Sequence, residues 1–180
     1  MKKAIIFIML TLMCIFNTSA YADEYAYTLY RGILFNDDMT QRDGVSVVLP
    51  SKYFNKIIHK GSYHICYGND DYAKTLTLGV IEDIIYSVAE PVSKHLDYLK
   101  SINATITGFS VVENDSVTRK PNVIDVSWTV GSENHYARFL KSSIAYCCGC
   151  YYDFMYKNNT DTSEIIRQLN ESLVYDDFAQ

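Results

Sequence analysis

Between Val123 and Val130 the chain alternates: Ile124, Val126 and Trp128 are apolar, while Asp125, Ser127 and Thr129 are polar. Only an extended strand with one buried face keeps such a pattern on one side, because successive side chains point to opposite faces of a sheet. Residues Gly131 to Asn134 then make a short polar connection, so His135 to Lys141 is expected to return antiparallel beside it. This hairpin commits the chain to a sheet. Residues 136–148 can also be drawn as a helix, with Tyr136, Leu140 and Ile144 four apart. The hairpin and the β-favouring Tyr, Phe, Ile and Cys side chains weigh for strand.

Other segments are read around the hairpin. Ser143 to Tyr156, SIAYCCGCYYDFMY, reads as a crowded core strand. Glu24 to Phe35 and Ala104 to Val112 read as further strands, and Val45 to Leu49 as a short one ended by Pro50. Ser62 to Tyr67 places His64 and Cys66 on one face by its two-residue period. Asn36 to Gly44 reads as a loop ending in the Asp43-Gly44 turn signal, and Gly68 to Asp71 as another. A short helix is expected from Ser51 through Lys60, closed by Gly61. The longest helical pattern is Ile81, Ile84, Ile85, Val88, Val92, Leu96 and Leu99, where Pro91 predicts a kink or two helices meeting near Glu90. Asp161-Thr162-Ser163-Glu164 has the form of a capping box for a final helix carrying Ile165, Ile166, Leu169 and Leu173. Residues 175–180 would be a frayed tail. The expected fold is α+β: a mostly antiparallel sheet with one long Pro-kinked helix and one or two shorter helices packed on it.

Residues 1–22 have the three parts of a secretory signal. Lys2 and Lys3 precede an apolar run from Ala4 to Phe16, and Ala20-Tyr21-Ala22 forms a small-x-small cleavage site. The run is shorter than the roughly 20 residues that cross a bilayer, so cleavage is expected rather than stable membrane insertion. Residues 23–180 would then be a single domain in the periplasm or outside the cell, burying roughly 70% of the surface its unfolded form exposes. The formal net charge is -5, and losing Lys2 and Lys3 makes it more negative by two. Such a balance argues against a nucleic-acid or anionic-membrane surface, which needs clustered Lys and Arg.

Export also changes the reading of the cysteines, since exported thiols are normally oxidised. Cys66, Cys147, Cys148 and Cys150 are the disulfide candidates, with Cys66 expected to bond one of the other three. Metal binding through His59, His64 and Cys66 would consume the same thiolate, so no metal or cofactor is expected. The signatures Gly-x-Ser-x-Gly, His-Glu-x-x-His, a glycine-rich phosphate loop and a paired Cys-x-x-Cys are missing, which weighs against an enzyme. Leu29-Tyr30-Arg31-Gly32 resembles the arginine-bearing strand of bacterial ADP-ribosylating toxins, in which that arginine helps hold the dinucleotide. The resemblance covers four residues. Those families also carry a Ser-Thr-Ser-like strand, for which Lys141-Ser142-Ser143 and Thr75-Leu76-Thr77 are poor substitutes, and a catalytic Glu-x-Glu or Gln-x-Glu motif, whose spacing no acidic pair here has.

The acid pairs Asp37-Asp38 and Asp70-Asp71 read as solvated loops that could steer a basic partner. Tyrosines, with Tyr151 and Tyr152 among those expected to face outward, suit a protein-binding surface. The sequence therefore points to an exported bacterial binding protein of inhibitor or toxin-immunity type, whose protein partner would be a basic hydrolase or toxin. An accessory part of a secretion, pilus or conjugation apparatus is the first alternative, and a secreted enzyme or toxin subunit the second.

Overall fold

The computed structural model describes residues 27–35, 41–70, 73–81, 85–142, 149–157 and 162–177. Among the described residues ten strands and two helices follow one another as β1 (Tyr27–Phe35), β2 (Gln41–Pro50), β3 (Lys56–Lys60), β4 (His64–Gly68), β5 (Lys74–Ile81), α1 (Ala89–Ser101), β6 (Thr105–Asn114), β7 (Pro121–Val130), β8 (Glu133–Lys141), β9 (Gly149–Lys157), α2 (Ser163–Ser172) and β10 (Val174–Asp177). Strands β3 to β9 form one antiparallel sheet in the order β3-β4-β5-β9-β8-β7-β6, and β1, β2 and β10 form a smaller one in the order β1-β2-β10. The fold is α+β, as the residue patterns imply.

Strand parity divides the large sheet into two faces. On one face Leu76, Leu78 and Val80 of β5 and Cys150, Tyr152 and Phe154 of β9 are buried against Val45, Val47 and Leu49 of β2 and Ile165 and Leu169 of α2. On the other, Ile124, Val126 and Trp128 of β7 and Ala137 and Phe139 of β8 bury Val92 and Leu99 of α1. The large sheet is thus the middle of three layers. Because α1 packs on β7 and β8, it leaves the β4, β5 and β9 part of its face uncovered. That half-covered face is where the groove described below lies.

Helix α1 is anchored at both ends. The Ser87 hydroxyl donates to the Pro121 carbonyl at 2.8 Å and accepts from the Ala89 N–H at 3.1 Å, which ties the helix start to β7 and supplies a missing acceptor there. At the far end Asn103 takes a positive φ of 56°, and the Ala104 N–H bonds back to the Leu99 carbonyl at 2.9 Å.

Several expectations change. Of the helical spacing from Ile81 onward, the residues from Ala89 are helix; Ile81 ends β5, Ile84 lies outside the described residues, and Ile85 and Val88 precede the helix and are buried in the same core. Pro91 therefore sits in the first turn, where its missing N–H is not needed, and it produces no break. Ser51 to Lys60 is a turn followed by edge strand β3, because Phe54 is drawn into the core between Tyr30 and Phe154 while residues 56–60 pair with β4. Strand β5 was not expected. Asp43-Gly44 lies inside β2, where Gly44 pairs with Ile33 on one side and Asp176 on the other. Tyr175 to Asp177 is no tail: β10 joins the small sheet and Tyr175 is buried. The hairpin returns with Val130 opposite Glu133, so its connection is the two residues Gly131 and Ser132. Residues 136–141 are strand; the alternative helix over 143–148 falls outside the described residues.

Candidate functional site

The pairing register sets chemically active side chains in rows across the uncovered face. His59, Cys66, Thr77, Asp153 and Ala137 stand side by side on β3, β4, β5, β9 and β8. The next row is His64, Gly79, Tyr151 and Phe139. One step the other way, His135 stands beside Met155 and Trp128. Helix α1 adds Pro91, His95 and Tyr98 from above, and together these elements enclose a groove of about 610 Å³.

Gly79 shapes its floor. A Cβ at this position would overlap the Tyr151 ring, so the missing side chain lets that ring lie flat across β5. Tyr151 also stacks on Phe139, with centroids 5.6 Å apart. Burial pushes the Tyr151 phenol above its ordinary range, and the nearby Asp153 charge adds to the shift.

The imidazoles occupy distinct settings. His59 and His64 lie 5.2 Å apart at the β3–β4 hairpin. His95 packs edge-on to Trp128 at 4.8 Å and against Phe139 at 5.3 Å, and its Nε2 is buried with no hydrogen-bond partner among the described residues. Burial holds its pKa below the usual histidine value; Asp153 works against that shift and His135 adds to it. His135 stacks flat on Trp128 at 4.7 Å, and its Nδ1 lies 3.0 Å from Asp153 Oδ1. A carboxylate on Nδ1 fixes the tautomer and plane of the ring. Among the described residues Asp153 is the only hydrogen-bond partner of the His135 ring, so the pair is an oriented imidazole without a bonded nucleophile. Among the described residues no three His, Cys, Asp or Glu side chains converge to hold a metal ion.

Cys66 faces the groove, whereas Cys150 is buried on the opposite face of the sheet, two strands away. These two form no disulfide, and the fold keeps them too far apart to do so. Cys147 and Cys148 lie outside the described residues, and so do pairings that involve them.

The expected partner-binding residues separate. Tyr151 lines the groove. Tyr152 does not face outward: the period of two turns it into the core, where it is fully buried and its hydroxyl donates to Asn170 Oδ1 at 2.5 Å. Asp70 is exposed and is held by Lys56 at 3.2 Å and Asn55 at 3.3 Å, which keep its carboxyl below the usual range. Asp37, Asp38 and Asp71 fall outside the described residues. All four histidines of the chain lie on or beside the groove face, a convergence that the sequence reading missed. The sequence groups His59, His64 and Cys66, two of them by strand parity, but only the pairing of β5 with β9 and the packing of α1 bring His135 and His95 to the same face.

No family model and no curated protein matches the sequence. Two solved structures are similar in backbone course. The Saccharomyces cerevisiae Ran-binding protein Mog1p is 7% identical, with 83% of this chain and 96% of that chain covered and a TM-score of 0.47. A point mutant of Mog1 is 7% identical, with 81% and 95% covered and a TM-score of 0.42.

Proposed function

We propose that the protein is an exported bacterial binding protein that recognises another protein in the periplasm or at the cell surface, as a hydrolase inhibitor or a toxin-immunity protein does. The half-covered sheet face carries this reading. An open groove with aromatic walls and a few placed polar groups is the usual form of a binding site, and Tyr98 on its rim presents an exposed ring of the kind that anchors interfaces. The net charge of -5 suits a basic partner, whose approach it would accelerate.

The test is capture of a partner from periplasmic extract at low salt by wild-type protein and by Thr77→Phe, which fills the groove floor. The proposal expects a protein retained by wild type and lost, by at least tenfold, from a folded Thr77→Phe variant. Equal capture by both proteins, or capture by neither, contradicts it.

A further inference from the structure

Resting on that reading, we infer that the groove seats one cationic side chain of the partner, a lysine or an arginine, against the Asp153 carboxylate. Asp153 is the only carboxylate among the described residues that line the groove. Its Oδ1 faces His135 Nδ1 at 3.0 Å, and among the described residues no other hydrogen bond reaches the carboxylate. Its side chain is only 26% exposed, so one acceptor oxygen is left in a partly dry setting. A partly desolvated carboxylate with unused lone pairs gains most from a charged donor, because charge-assisted hydrogen bonds are about twice as strong as neutral ones.

The surroundings suit a cation more than any other occupant. Tyr151, Phe139 and Tyr98 supply aromatic rings, whose faces attract an ammonium or guanidinium group within about 6 Å. The Thr77 hydroxyl, next to Asp153 across the strand pair, is a further acceptor. An apolar occupant would bury the second carboxylate oxygen without a partner, and an anionic one would meet like charge. The overall negative charge acts in the same direction.

Acetyl-arginine amide is the probe, with the uncharged acetyl-citrulline amide as its isosteric control. The readout is the ring-proton resonances of His95 and His135. We expect the arginine compound to shift them saturably, with the citrulline compound at least tenfold weaker. Asp153→Asn keeps an acceptor oxygen for His135, and should weaken arginine binding by at least tenfold while leaving the denaturation midpoint near that of wild type. Equal binding of the two compounds, unchanged binding in Asp153→Asn, or no saturable shift overturns the inference. If the arginine compound fails while Thr77→Phe still abolishes capture of a partner, recognition at this face stands and the cation seat falls. Capture that survives Thr77→Phe removes the recognition reading itself.

Discussion

His95 places a titratable ring where the helix meets the sheet, with Trp128 and Phe139 against it and its Nε2 cut off from water. Burial favours the neutral ring, so the folded pKa lies below the unfolded one. The corresponding stability is fully present above the unfolded value and is lost as pH falls through it toward the lowered folded value. His95→Phe keeps the aromatic packing and removes the proton site. Its stability should therefore fall less than that of wild type between pH 7 and pH 5, measured by urea denaturation at each pH; parallel curves for the two proteins would contradict this. Nothing about His95 in the sequence announces this role. It lies between Lys94 and Leu96, at the boundary between the helix's solvated and buried faces, and only the packing of α1 on β7 and β8 decides which side the ring takes.

Among elements, the pair β7–β8 was the most legible, because alternation and a turn signal agree there. Strand β5 was the least, although Leu76, Leu78 and Val80 alternate with Thr75, Thr77 and Gly79. Its apolar residues run directly into Ile81, Ile84 and Ile85, where the longer helical period takes over, and the short alternation before it belongs to no expected element. Residues 51–60 failed for a related reason, since Tyr53, Phe54, Ile57 and Ile58 fit a helical face and only tertiary pairing with β4 overrides it. The middles of β7 and β8 also carry a polar lock that patterning alone does not reveal. Asp125 accepts from Arg138 Nε at 2.7 Å, from Arg138 Nη2 at 2.8 Å and from the Tyr136 hydroxyl at 2.5 Å, while Asn170 of α2 reaches the Tyr136 hydroxyl at 3.2 Å. Asp125 and Arg138 are both mostly buried. Asp125→Ala strands the guanidinium without its counter-charge and should cost about 3–5 kcal/mol. Chemical denaturation would report that loss as a lower midpoint at unchanged slope, and a loss under about 1 kcal/mol would show that water replaces the carboxylate.

At the scale of the whole molecule, the proposed recognition surface rests on an asymmetry between the two faces of one sheet. The small sheet and α2 cover one face, while α1 covers only part of the other, and the rows that cross the remainder gather the histidines, Cys66 and Asp153. No stretch of sequence contains this site, because its residues come from positions 59 to 153 and meet only through strand order. The stretch Ser143 to Tyr156 was legible as a core strand over β9, which also contributes Tyr151 and Asp153 to the groove; the expected staple to Cys66 does not run through Cys150, and Cys147 and Cys148 lie outside the described residues. The central claim, that this face is the recognition surface, is tested most directly by site-specific photocrosslinking. A benzophenone side chain placed at Tyr98, on the groove rim and 57% exposed, is compared with one placed at Phe109, on the outer edge strand β6 and similarly exposed at 53%. In periplasm-containing cells the Tyr98 position should trap a discrete protein adduct and the Phe109 position none. An adduct from Phe109 with none from Tyr98 would place recognition on the sheet edge and contradict the account.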